Sequence, residues 1–194
     1  MPNTSATGGY LVTTTTAPAY DGDLDRLIQQ MVVGITGLAG TMVRPRWQPT
    51  PPKQPEPSVD WCAIGVQSVT PDDGPAIVHD GTGNGTDTVN RHEDIEFAAS
   101  FYGPHGLANA TLLRDGFSLP QNTEAIGAAG LLYVGTSMIT PAPALVNEQW
   151  VRKYDLRFTL RRHVSRTFPV LNLLSAVGTI HGETVPDQPF EVES

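Results

Sequence analysis

The sequence predicts an α+β domain, an antiparallel or mixed β-sheet flanked by helices with a hairpin arm and extended termini, and three observations predict it. Leu24, Leu27, Ile28, Met31, Ile35 and Leu38 recur at helical spacing. Ile95, Phe97, Ala99 and Phe101, and again Tyr154, Leu156, Phe158 and Leu160, recur at the period of two that puts side chains on one face of a strand. The elements run helix, two strands, two helices, three strands, joined by short turns. That order suits an antiparallel sheet with helices gathered against it.

Taken along the chain, residues 1–20 are rich in Thr, Ala and Gly without an apolar period and read as a flexible N-terminal arm. From Asp21 to about Gly37 or Gly40 a helix is expected, its first turn carrying Asp21, Asp23 and Asp25 at the positive end of the dipole. The stretch 44–60 holds Pro45, Pro49, Pro51, Pro52, Pro55 and Pro57, which forbid helix and sheet interior, so it reads as an extended strap or linker. Trp47 favours a strap, because a free linker has little use for a tryptophan. Residues 61–69 form a strand ended by the turn Pro71-Asp72-Asp73-Gly74. A second strand runs from near Thr88 to Tyr102, its polar first half projecting as an exposed hairpin arm.

Pro104 opens a helix that runs through Phe117, and a shorter helix begins near Asn122 or Thr123 and ends at Gly130. Residues 131–140, 150–166 and 170–180 read as strands. Residues 181–194 contain four acids and no Lys or Arg, which reads as an acidic C-terminal tail around a single domain spanning 21–180.

Net charge is -8 over 194 residues, which argues against nonspecific nucleic-acid or membrane binding by the whole surface. The one cysteine, Cys62, sits in an apolar run and reads as a buried inert thiol. The N-terminus lacks a signal-peptide pattern, and no run of about 18 apolar residues occurs.

Chemistry is mostly missing. In residues 80–87, Asp80, Asn84 and Gly85 match positions one, five and six of a calcium loop, but Thr82 and Arg91 stand where positions three and twelve need ligands. The five histidines occur singly, and no nucleophile elbow is present. No metal, cofactor or catalytic residue is therefore expected. A small hydrolase built on the His92 region would need a nucleophile, base and oxyanion donors that the sequence does not gather.

Charge is the informative feature. Residues 152–166 hold six bases against one acid, leaving the remainder of the chain with six bases against nineteen acids. Lys153, Arg157, Arg161, Arg162 and Arg166 are candidates for a basic interface strip that meets an acidic surface on the next identical subunit, arginine's planar fork suiting such contacts. The simpler alternative is a solvated sheet face.

Residues 43–55 (VRPRWQPTPPKQP), DWCAIGV at 60–66, RHEDIEFAASFYGP at 91–104, LRDGFSLPQN at 113–122 and VNEQWVRKYDLRFTLRR at 146–162 resemble the neck or tail terminator family of tailed bacteriophages. The likeness extends from about Leu24 to about Ile180. It implies a tail-terminator-like fold and a non-enzymatic virion protein, made in the host cytoplasm, that forms a ring at the head-proximal end of the tail, sixfold by analogy. Such a ring ends growth of the tail tube, docks the head-tail connector, and lets genomic DNA through its lumen without specific binding. A head-completion or connector ring one layer nearer the capsid is the alternative. Within this frame Trp47 in the strap, and Asp80, Asn84, Asp87 and Arg91 on the hairpin arm, are candidates for neck or tail contacts.

Overall fold

The computed structural model describes residues 3–50, 52–146, 148–173, 175–181 and 188–193. It divides into two compact units: residues 17–74 with 91–164, and the described residues within 1–16, 75–90 and 165–194. In chain order the elements are α1 (Asp21–Thr36), β1 (Val43–Pro45), β2 (Trp61–Pro71), β3 (Ala76–Asp80), β4 (Thr86–Tyr102), α2 (Gly106–Gly116), α3 (Pro120–Ala128), β5 (Leu131–Thr136), β6 (Thr140–Pro141), β7 (Ala144–Val146), β8 (Gln149–Val151), β9 (Lys153–Phe168), β10 (Ser175–Ile180) and β11 (Gln188–Glu193). The fold class is α+β, as the periodicities indicate.

In the larger unit the sheet runs β1-β2-β4-β9-β5, with β6 added to β9. β1 is parallel to β2; β2 and β4, and β5 and β9, pair antiparallel. Its inner face carries Cys62, Ile64, Phe97, Ala99, Phe101, Leu156, Phe158 and Leu160, all buried against Leu24, Ile28 and Val32 of α1, Leu113 of α2 and Ile126 of α3. Phe158 is the hub, 5.3 Å from Phe97 and 5.0 Å from Phe117 between ring centroids. Each such side chain taken from water contributes about 1.5–3 kcal/mol. Burial pushes the Cys62 thiol well above its ordinary pKa, which leaves it un-ionised and inert.

Local signals explain the helix ends. α1 stops where Gly37 takes the left-handed conformation and donates its N–H to the Val33 carbonyl. Pro120 begins α3 at its first turn, where its missing N–H costs nothing. Gly103 turns the chain from β4 toward α2 at φ +104, and a Cβ there would lie 2.6 Å from the Val59 carbonyl oxygen. The Asp60 carboxylate fastens the same turn by accepting from the backbone N–H of His105 at 2.8 Å.

Boundaries differ where local chemistry overrides period. The strand expected over 131–140 carries a bulge between Tyr133 and Gly135, ends at Thr136, and rejoins β9 only at Thr140–Pro141 as β6. A short hairpin, β7–β8, fills the stretch between the strands expected over 131–140 and 150–166, with Leu145 opposite Trp150.

The smaller unit departs furthest from expectation. β3 pairs with residues 86–90 of β4, closing a hairpin whose tip is the glycine-rich stretch. The arm read as flexible is fastened by polar contacts: Thr14 N–H donates to the Thr167 carbonyl at 2.9 Å, and Thr15 Oγ1 accepts from the Thr167 N–H at 2.7 Å. Threonine hydroxyls and backbone amides supply that adhesion without an apolar period. In the stretch read as an acidic tail, residues 188–193 form β11 antiparallel to β10, while 182–187 and 194 lie outside the described residues.

Gly103→Ala is expected to lower stability by about 1–3 kcal/mol, since it combines a left-handed backbone with collision against fixed backbone. Urea denaturation checks this, and an unchanged midpoint would mean that the segment around Val59 moves aside freely.

Candidate functional site

On β9 the buried residues Leu156, Phe158, Leu160, Arg162 and Val164 alternate with more accessible ones. Arg162 therefore points inward with the core side chains. Its side chain is 5% exposed and its Nε donates to Glu93 of β4, itself 12% exposed; Nη1 donates to the Ala19 carbonyl at 2.6 Å, and the guanidinium lies 4.3 Å over the Tyr20 ring. A charge so placed is tolerable only because it meets a carboxylate, a carbonyl and a ring face.

The opposite face of the sheet carries a row of further pairs. Arg161 forks between Asp94 on β4, at 2.9 Å, and both oxygens of Asp72, at 2.8 and 2.7 Å. Those carboxylates, Asp72 first, hold its pKa above the usual guanidinium value. Arg157 reaches Glu96 at 3.6 Å with a side chain 59% exposed. Lys153 meets Asp155 at 2.9 Å, and the buried Ser100 hydroxyl joins Asp155 to Arg46. Arg166 lies farther along β9, half-buried, in the smaller unit.

Of the five bases expected to face a neighbouring subunit, Lys153, Arg157, Arg161 and Arg162 thus have carboxylate partners in their own chain. Arg162 cannot present its charge to a neighbour at all while it stays buried. Period two already put Arg162 with Leu160 and Glu93 with Ile95; only their pairing needed the structure.

Beside Lys153 the outer face opens into a recess of about 400 Å³. Trp61 and Tyr102, opposite each other in the β2–β4 register, stack at 4.2 Å with planes 5° apart. Arg44 stands 5.8 Å from the Trp61 ring and Lys153 is 6.0 Å from the Tyr102 ring. The proline-rich strap supplies a wall: Arg44 Nη1 donates to the Lys53 carbonyl at 2.9 Å, and Trp47 packs near Gly65, where a Cβ would touch the indole at 3.5 Å. The first part of the strap therefore lies on its own chain. Trp47 nonetheless remains 72% exposed. Sequence reading singled out Trp47 but missed the recess, which needs residues from β1, β2, β4 and β9.

The other expected contact residues fall in two places. Arg91 is half-buried on β4 in the larger unit, whereas Asp80, Asn84 and Asp87 gather around the hairpin tip in the smaller one. The tip was expected to hang free within the monomer. It is instead tied by Asn172, whose N–H donates to the Asn84 carbonyl at 2.9 Å and whose Nδ2 donates to the Gly81 carbonyl at 2.6 Å. Gly85, at φ +88, allows this approach, since a Cβ would sit 2.7 Å from the Val170 carbonyl oxygen. His79 bridges Asp87 at 2.6 Å and Asn172 at 2.7 Å. Polar bonding replaces the apolar burial that the glycines cannot provide.

No catalytic geometry emerges from these contacts. His92 lies 4.9 Å from His163 ring to ring, and among the described residues no group of three or more His, Cys, Asp or Glu is placed to hold a metal ion. No helix among the described residues is long and apolar enough to cross a membrane.

Removing one partner of the inward pair should strand a buried charge: Arg162→Met or Glu93→Leu alone is expected to cost about 3–5 kcal/mol, with the double variant recovering most of it. Chemical denaturation of the four proteins reads that coupling directly. At the hairpin, Asp87 above all, then Asn172, raises the His79 pKa above its ordinary value of about 6.5. Its contribution is complete below about pH 6.5 and is lost as pH rises through the elevated value. In an NMR titration, Asp87→Asn should move the His79 midpoint down.

The comparisons with known proteins follow the same lines. No curated protein matches the sequence. Residues 22–184 match the family described as phage neck terminator protein, a span that takes in the whole charged sheet and the recess. A family of structural neck proteins agrees with a surface whose charged groups are engaged in pairing. The chain belongs to the phage neck terminator protein family.

Proposed function

We propose that the chain is a non-enzymatic virion component that assembles into a ring, hexameric by analogy, at the head-proximal end of the tail, where it ends growth of the tail tube and presents the docking surface for the head-tail connector. The family match over residues 22–184 carries this reading. The tube protein below, connector or neck proteins above, and copies of the chain at each side are the partners it requires, with DNA passing through the lumen unbound.

The surface supports assembly. β5 ends the path of the sheet, and its Leu132 and Val134 side chains are exposed. The β7–β8 hairpin carries Leu145, 61% exposed, opposite Trp150, 73% exposed. An edge strand with apolar side chains invites pairing or cover, and large exposed aromatics favour protein contacts. A connector ring nearer the capsid would use the same surfaces.

For the basic strand, Arg157 is the base most available to a neighbouring subunit. Its exposed pair with Glu96 contributes at most about 1 kcal/mol to the monomer, so reversing it perturbs the fold little. Reversing Arg161 would instead set a third carboxylate beside Asp72 and Asp94.

Light scattering of the purified chain should show a ring-sized oligomer, and Arg157→Glu should weaken its closure at ordinary salt without changing the monomer's unfolding. Virions produced without the protein should carry tails of unregulated length that fail to join heads. Tails of normal length in its absence would overturn termination and favour the connector alternative.

A further inference from the structure

The recess beside Lys153 combines features that a bare sheet face does not need. Arg44, Arg46 and Lys153 bring three cations to its lining, and Trp47, Trp61 and Tyr102 bring three aromatic rings. Among the described residues Asp155 is the one carboxylate that answers Arg46 and Lys153, at 4.0 and 2.9 Å, while Arg44 donates to the carbonyls of Thr41 and Lys53. The lining is therefore positive in a chain whose net charge is -8. Cations beside aromatic faces suit a segment that alternates carboxylates with apolar or aromatic side chains.

The chain contains such a segment. Residues 181–194 hold Glu183, Asp187, Glu191 and Glu193 and no Lys or Arg, with Pro189 and Phe190 among them. Its described part, β11, pairs with β10, and that two-stranded sheet exposes Val177, Ile180 and Phe190. A lone two-stranded hairpin with apolar side chains in water is marginally stable and gains by being covered.

We propose that the β10–β11 hairpin of a second copy of this chain docks in the recess, Phe190 against Trp47 and Trp61, with Glu191 answering Arg44 and Lys153. The proposal rests on the reading that copies of the chain associate. It names the contact that would join them, a heterologous one in which two different surfaces meet and a closed ring can result. Single-stranded nucleic acid also stacks on aromatics beside cations, but the net negative charge of the chain disfavours a polyanion of that length.

Charge exchange in the full chain tests the contact. Arg44→Glu with Lys153→Glu, and separately Glu191→Lys with Glu193→Lys, should each weaken self-association about tenfold or more by light scattering, and the quadruple variant should regain most of it. A second measurement does not depend on reversing paired charges: chains carrying Trp47→Cys mixed with chains carrying Phe190→Cys should form a disulfide-linked pair under oxidised glutathione, with the buried Cys62 unreactive. Absence of that link, or a quadruple variant no better than its parents, overturns the proposal. So does binding of a labelled oligothymidylate that the recess variant abolishes. If the tail-reversed chain assembles to the wild-type mass, the docking fails and the ring reading stands. If the link forms while the wild-type chain never exceeds a dimer, the docking stands and the ring fails.

Discussion

The structure depends on two long strands, β4 and β9, lying side by side with opposite charges in matching places. His92, Glu93, Asp94 and Phe97 on one meet His163, Arg162, Arg161 and Phe158 on the other, while Glu96 reaches Arg157 diagonally. The numbers rise along one strand as they fall along the other, so the two run antiparallel. A slip of one residue would send Leu156, Phe158 and Leu160 to the outer face and turn Arg162 away from Glu93. Apolar burial and charge pairing thus select the same register. Burial supplies most of the stabilisation, and the ion pairs make alternatives costly, because a mispaired Arg162 would sit in the core without a carboxylate.

That pairing bears on why an acidic chain places five of its twelve bases on one strand. Three of them, Arg157, Arg161 and Arg162, meet carboxylates on β4 or in the turn after β2, some 60 to 90 residues away in sequence. From one chain's sequence a period reveals which face a residue occupies, but says nothing of which strand will lie beside it. The inward position of Arg162 was legible, since it follows Leu156, Phe158 and Leu160 in steps of two. A buried arginine requires an acid, and Glu93 precedes Ile95 and Phe97 by the same steps; grouping all five bases as one surface strip passed over that consequence.

Elements built on apolar period were legible throughout: α1, the later part of β4, and β9 fall where helical spacing or strand alternation puts them, as Ile28 and Phe97 in the core show. Elements held by polar groups were not. The N-terminal arm adheres through Thr14 and Thr15, the hairpin tip through Asn172, and β11 finds β10 by backbone pairing. Hydrogen bonds of this kind leave no periodic trace, and the residues that make them are those that also populate loops. The recess was invisible for a different reason. Its lining comes from four strands and the strap, so no window of sequence contains it.

Assembly of such a chain faces a general difficulty, since identical subunits of net charge -8 repel one another. Screening removes most of that repulsion beyond about 8 Å at physiological salt, so closure of the proposed ring would depend on what faces what at short range. The pairs along β4 and β9 neutralise much of the outer face and deny any nearby DNA a broad basic surface. What remains locally positive is the recess, where the strap holds Arg44 and Trp47 beside Lys153 and leaves a single carboxylate nearby among the described residues. Internal pairing therefore shapes the external surface: by satisfying the central bases within the chain, the sheet leaves its net positive lining at one end, where three cations stand beside one carboxylate and, in the proposed ring, can discriminate an acidic partner from a nucleic acid that must pass unhindered.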